Sequence, residues 1–249
     1  MSKLPQITLF FWVMKICATT LGETAGDLFS MTFKIGYALS SVFLIGIFLV
    51  TLITQLRAKK YHPLLYWTVI LSTSTAGTTM SDFMDRTLDL GYAKGSLILI
   101  ASLITVLVAW YLTEKSLSVT NIKSRKGELF YWIAILFSNT LGTAFGDFLA
   151  DDSGLGFLGG AMLVSGGLLV IVLLKYFTKA SAVILFWMAF ILTRPFGATF
   201  GDLLTKVPEK GGLGFGTIGS SLVLLTILGV LIAYSIRKHN EPKEILILD

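Results

Sequence analysis

Five acidic residues stand inside stretches that are otherwise apolar enough to cross a bilayer: Glu23, Asp27, Asp82, Asp147 and Asp202. A carboxylate is costly in hydrocarbon and persists there where it faces a protein interior or a water-filled path. Two bases, Lys15 and Arg194, share those stretches. With all seven charged, the interior would carry three negative charges without a counter-charge, so protons or a cation must supply the balance. The available donors are carboxylates, threonine hydroxyls and backbone carbonyls, which suit hard ions such as Mg²⁺ or Mn²⁺ better than Cu⁺ or Zn²⁺. Thiolate and imidazole chemistry has little to work with. The one cysteine, Cys17, lies in an apolar segment, and His62 and His239 sit in basic connectors without a second ligand at helical spacing.

The acids are placed by a repeat. Four segments align without a gap: Trp12–Asp27, Trp67–Asp82, Trp132–Asp147 and Trp187–Asp202. In each, a tryptophan stands 15 residues before the aspartate and a glycine five before it (Gly22, Gly77, Gly142, Gly197). A small residue precedes the aspartate directly (Gly26, Ser81, Gly146, Gly201). On a helix, positions four apart share a face. Each aspartate therefore ends a polar stripe: Thr19/Glu23/Asp27, Ser74/Thr78/Asp82, Asn139/Thr143/Asp147 and Arg194/Ala198/Asp202, with Lys15 extending the first. The ion-binding set expected from this pattern is the five acids, with Thr24, Thr79, Thr143 and Thr199 as auxiliary oxygens. Asp27 and Glu23, one turn apart, are the expected pair for a divalent metal or a shared proton. Asp202, with Ala198 at the matching position, is expected to be a salt-bridge partner, and Lys15 and Arg194 to be counter-charges.

Each group also has a purely structural role open to it. The tryptophans are expected to be interfacial anchors. Small residues four apart let helix backbones approach closely, and they also let carbonyls approach a ligand. Fifteen residues place each aspartate about 22 Å from its tryptophan in a hydrocarbon core of about 30 Å. That depth suits ligands converging on a central vestibule, and also half-wet helix caps. Arg194-Pro195 sets the fourth copy apart, because proline removes a helix hydrogen bond and favours a kink. This divergence favours a transporter with one asymmetric site over a symmetric channel.

The elements that carry these residues are transmembrane helices. Of 249 residues, 54% are hydrophobic and 14% charged, with a mean hydropathy of +0.79. Runs such as Gly36–Leu56, Gly154–Leu174 and Gly211–Ile236 hold no charge, and 18 or more such residues read as a membrane span. A soluble enzyme, a disulfide scaffold and a nucleic-acid binder are excluded. The expected fold class is all-α and polytopic, with eight transmembrane helices from four parallel two-helix repeats: 7–29, 36–56, 64–82, 95–113, 129–148, 154–175, 180–203 and 212–236. The longest polar connector, 114–128, divides a first membrane half (1–113) from a second (129–249). The even helices, nearly free of polar side chains, are expected to face lipid.

Orientation follows from the bases. Lys3, Arg57, Lys59, Lys60, Lys115, Lys123, Arg125, Lys126, Lys175, Lys179, Arg237, Lys238 and Lys243 fall on one side, and Lys34, Arg86, Lys94, Lys206 and Lys210 on the other. Thirteen against five puts both termini and the tryptophan ends in the cytoplasm and accounts for the net charge of +5. An even number of helices per repeat gives all four repeats one direction, so they are related by rotation about the membrane normal.

Tandem two-helix units, each with a tryptophan and a Gly-x-x-x-small-Asp ending, resemble a family of bacterial integral membrane proteins with four such repeats of unknown function. The resemblance spans Trp12 to the eighth helix and implies the fold and a bacterial inner membrane, with no activity attached. The residues themselves point to a transporter of a small cation, with proton-coupled movement of a hard divalent metal as the specific expectation. The alternatives are a transporter or channel for a small organic or anionic solute using Arg194 and Lys15, and a membrane scaffold or sensor whose motif only packs helices. No enzyme is expected: no histidine lies in a span, and neither a serine–lysine dyad at helical spacing nor a nucleotide motif occurs. No cofactor is implied beyond a transported cation or protons. The partners are the lipid bilayer and that cation, with no nucleic acid, and the apolar outer faces are compatible with a homo-oligomer.

Overall fold

A computed structural model describes residues 4–122 and 124–240. Among them eight α-helices and no strand are present: α1 (Leu9–Asp27), α2 (Tyr37–Arg57), α3 (Pro63–Asp82), α4 (Tyr92–Glu114), α5 (Arg125–Asp147), α6 (Gly156–Phe177), α7 (Ala182–Thr205) and α8 (Gly216–Asn240). Lys3, Lys123 and Lys243, three of the bases that set the expected orientation, lie outside the described residues. The odd helices form a closed ring, α1 against α3, α3 against α5, α5 against α7 and α7 against α1. Each even helix lies outside, on the odd helix of the following repeat: α2 on α3, α4 on α5, α6 on α7, and α8 back on α1. The pattern returns to its start after four repeats, which is the rotational relation expected of repeats with one direction.

Polarity dictates which helices are inside. The even helices leave large apolar side chains uncovered, among them Leu39, Val42, Ile104, Leu112, Leu163 and Val223. Such a surface requires lipid, because the largest apolar patch on a soluble monomer is only about 300–600 Å². Six helices are long and apolar enough to cross a membrane: α2, α4, α5 with its following turn, α6, α7 and α8. The chain is a multi-pass helical membrane protein. Helices α1 and α3, with 19 and 20 residues, are long enough but carry too many polar groups to qualify on apolarity. Their polar residues are enclosed by neighbouring helices: Lys15, Thr19, Glu23, Ser74 and Thr78 are all at most 2% exposed.

Small residues close the ring. A Cβ on Gly22 would overlap Ser74 Oγ, and one on Gly142 would overlap Arg194 Cγ. On Gly77 it would lie 2.9 Å from the Thr140 nitrogen and 3.0 Å from the Asn139 carbonyl carbon, and on Gly197 2.9 Å from that of Thr19. Each of these glycines thus receives the residue eight before the aspartate of the next repeat. One turn on, Gly26, Gly146 and Gly201 receive Thr78, Ala198 and Glu23, the residues four before it. Of the two uses open to the glycines, helix packing is the one observed.

A further glycine follows each aspartate by nine residues: Gly36, Gly91, Gly156 and Gly211, all with φ between 67° and 82°. These left-handed positions turn the chain toward the even helix, and a side chain there would be strained. In the first three repeats a single π-helical turn (Leu28–Thr32, Phe83–Thr87, Phe148–Asp152) joins the aspartate to that turn. The fourth differs: α7 runs unbroken past Pro195 and extends three residues beyond Asp202.

Candidate functional site

The four stripes point into the ring, and the residues of each register meet there. At the register four before the aspartate stand Glu23, Thr78, Thr143 and Ala198. Arg194 reaches this level from α7. Its Nη1 lies 2.9 Å from Glu23 Oε2, with both side chains at most 3% exposed. Its Nη2 donates to Thr78 Oγ1 (2.6 Å) and Thr143 Oγ1 (2.7 Å), and each hydroxyl donates on to Glu23 Oε2 (3.2 and 3.0 Å). A hydroxyl both accepts and donates, so the two threonines complete a ring of hydrogen bonds about the ion pair. Three repeats besides the first therefore hold one carboxylate.

One turn on lie the four aspartates, each 2–4% exposed. Two bases cover them. Arg86 places Nε 2.8 Å from Asp82 Oδ1 and Nη2 3.2 Å from Asp147 Oδ2. Lys206 places Nζ 2.6 Å from Asp27 Oδ2 and 3.0 Å from Asp202 Oδ1. Burial alone would lower the Lys206 ammonium, but Asp202 and Asp27 outweigh it and hold it above the ordinary lysine range. Lys206 therefore stays charged at working pH. Carboxylate oxygens of Glu23, Asp147 and Asp202 also come within 4.8 Å of one another, all three buried. Asp27, Asp82 and Asp147 make no side-chain capping hydrogen bond to the turns they precede. The aspartates are ion-paired residues of the axis, and the cap is not what they form.

Below Glu23 the axis closes. Lys15 is fully buried, and its Nζ has no hydrogen-bond partner and lies 4.0 Å from the centre of the Phe190 ring. Toward the tryptophan end Phe11, Tyr66 and Tyr131 pack with Trp67 and Trp132. The Tyr66 and Tyr131 hydroxyls share a 2.7 Å hydrogen bond, and Tyr66 contacts Trp132 at 5.6 Å between ring centres. This aromatic layer plugs the tryptophan end of the ring.

The geometry corrects several expectations. Three of the tryptophans are not interfacial anchors: Trp67, Trp132 and Trp187 are 0–5% exposed, Trp67 and Trp132 packed on Tyr66 and Trp187 donating to the Leu117 carbonyl and packed on Trp110 of α4, while Trp12 alone is half-buried. Lys15 does not pair with Glu23 or Asp27, since Arg194 and Lys206 hold those acids. Thr24, Thr79 and Thr199 do not line the axis. Thr24 receives Ser221 Oγ of α8 at 2.9 Å, Thr79 bonds back to the Ala76 carbonyl, and Thr199 bonds back to Pro195 and faces Gly160 of α6. They stand three before the aspartate, about 100° around the helix from the stripe four before it. Of the four expected auxiliary hydroxyls only Thr143 is at the centre. The count of three uncompensated charges also changes: five acids face Lys15, Arg86, Arg194 and Lys206, an excess of one.

Arg86 and Lys206 are the residues that sequence reasoning missed, having counted them as loop charges. Their signal was present. Each stands four residues after its aspartate, one more turn along the same stripe. The matching positions in the other two repeats are Met31 and Asp151.

No curated protein and no solved structure matches the chain. A family model described as Repeat of Unknown Function (DUF347) matches residues 10–61, 65–116, 130–181 and 185–240, one match per two-helix unit. These matches cover most of the sequence, and the chain belongs to that family of tandem membrane repeats.

Proposed function

We propose that this protein is a carrier of a small cation, exchanging a hard divalent metal such as Mn²⁺ or Mg²⁺ for protons along the axis of the odd helices. The observation that carries the reading is the convergence of one aspartate per repeat at one buried level of the ring, with Glu23 one turn away and within reach of Asp147 and Asp202. Ionisable groups at membrane depth mark ion paths and proton relays more often than they serve packing. Arg86 and Lys206 are the most solvent-accessible charges at this level, with side chains 32% and 22% exposed. An entering cation would compete with them for the carboxylates. Glu23, Asp147 and Asp202 offer three oxygens close enough together to share one ion. Protonation of those carboxylates would release it.

The anion alternative has less support. The Arg194 terminal nitrogens, which would grip an anion, are already engaged by Glu23, Thr78 and Thr143. The reading is that of a carrier and not an enzyme. It also requires eight crossings. Helices α1 and α3 hold the same ring positions as α5 and α7, which are apolar enough to span, and a closed ring of parallel helices crosses as a unit. We place the protein in a bacterial inner membrane with both termini cytoplasmic, because the tryptophan ends carry the excess of bases.

The test is uptake into proteoliposomes. With an imposed pH gradient, purified protein should accumulate Mn²⁺ and collapse the gradient together, and Asp147→Asn should abolish both while the protein remains folded. Uptake that persists in Asp147→Asn would remove the axial carboxylates from the path.

A further inference from the structure

We propose that a groove at the tryptophan end, between α1, α6 and α7, holds one anionic phospholipid. Its acyl chain would lie against the helices and its phosphate on Lys175. The groove encloses about 560 Å³. On this side α6 makes its main contacts with α7 and the Phe148–Asp152 turn and not with α1, whereas α2 packs on both α3 and α5. At the tryptophan end the seam between α1 and α7 is therefore open toward α6, and Trp12, which lines it, is half-buried while its three counterparts are buried.

Most of the groove is apolar: Ile16, Leu168 and Ala189 line its deep end, with the Thr193 hydroxyl turned back to the Phe190 carbonyl, and Thr8, Ser118 and Lys175 stand at the end nearest the connectors. From Lys175 to Leu168 is seven residues, about 10 Å of helix, which fits within a single hydrocarbon leaflet of about 15 Å. The Thr8 and Ser118 hydroxyls and the ammonium thus fall where head groups lie, and the apolar end falls where acyl chains lie. Charge selects the head group. Lys115, Arg125, Lys126 and Lys179 stand in the connectors at this same end, and clustered bases beside a span draw anionic lipid. The groove is separate from the axial carboxylates, so the inference stands independently of the transport reading.

The test is thermal unfolding of the purified full chain in detergent, with phosphatidylglycerol or phosphatidylcholine of identical acyl chains added. Phosphatidylglycerol should raise the midpoint further than phosphatidylcholine. Lys175→Gln should lose that difference, and Ala189→Trp, which fills the groove, should lose it too. Val172→Trp fills the same groove from its exposed α6 side and keeps the test decisive if Ala189→Trp does not fold. Equal responses to the two lipids in the unaltered protein would overturn the proposal. So would a phosphatidylglycerol preference that survives in Lys175→Gln or in a folded groove-filling variant.

Discussion

The pair of Glu23 and Arg194 is the most demanding feature at the scale of single residues. Both are buried, and each satisfies the other. Removing one partner of such a pair strands a charge, at a cost of about 3–5 kcal/mol. Glu23→Gln and Arg194→Met should each destabilise the protein by that order in detergent unfolding. The double variant should cost less than the sum, because the penalty of stranding is shared. Additive losses would mean that the two residues do not act as a unit. Lys15 is the opposite case. Its Nζ finds no hydrogen bond in the interior, and an unsatisfied buried polar group costs stability. Lys15→Met should therefore leave the melting temperature unchanged or raise it, and a clear fall would show that the amine has a partner on the axis. The Glu23 and aspartate stripes were legible in the sequence because four-residue spacing is helix geometry itself. The partner of Glu23 was not: Arg194 lies 171 residues away, and only ring closure brings it across.

At the scale of helices, the repeat glycines decide how closely the odd helices approach. Gly77 faces backbone atoms of Asn139 and Thr140, which cannot rotate away. Gly77→Ala should therefore cost about 1–3 kcal/mol. Gly46 and Gly229, on the outer helices, have nothing within 4 Å of a built Cβ. Alanine there should be neutral or stabilising by up to about 1 kcal/mol, since glycine is the poorer helix former. Thermal unfolding of the three variants side by side checks the contrast, and equal losses at all three would place the outer helices in tight contacts too. Helix ends were readable to within a few residues from apolar runs and charges. The faces of the residues three before the aspartate were not, because one position of offset swings a side chain from the axis to the outer helices. Three of the tryptophans were misplaced for a related reason: a tryptophan at a helix end suits an interface or a buried contact equally, and the neighbouring side chains decide.

For the whole molecule, the clasps divide the ring into pairs that cut across the sequence. Arg86 ties α3 to α5 and Lys206 ties α1 to α7. Among the described residues no ion pair at this level joins α1 to α3 or α5 to α7. Each pair takes one helix from 1–113 and one from 129–249, so the sequence halves are not the halves that the charges hold together. Rotational symmetry was legible because four equal-handed repeats leave little else. The clasps were harder to read: each base continues the stripe of its aspartate, but only two repeats supply one, and a base just past a helix end reads as a loop charge. The eight-crossing topology predicts that reporter fusions at residues 60 and 89 report opposite faces of the membrane; the same face at both would remove α3 as a span. The central claim, that the axial carboxylates hold a cation in competition with the clasping bases, is tested most directly by calorimetric titration of purified protein with Mn²⁺. The account predicts saturable binding to the unaltered protein, binding at least about tenfold tighter for Lys206→Met, in which a competing ammonium is removed, and none for Asp147→Asn. Equal affinity in all three, or no binding to any of them, would contradict it.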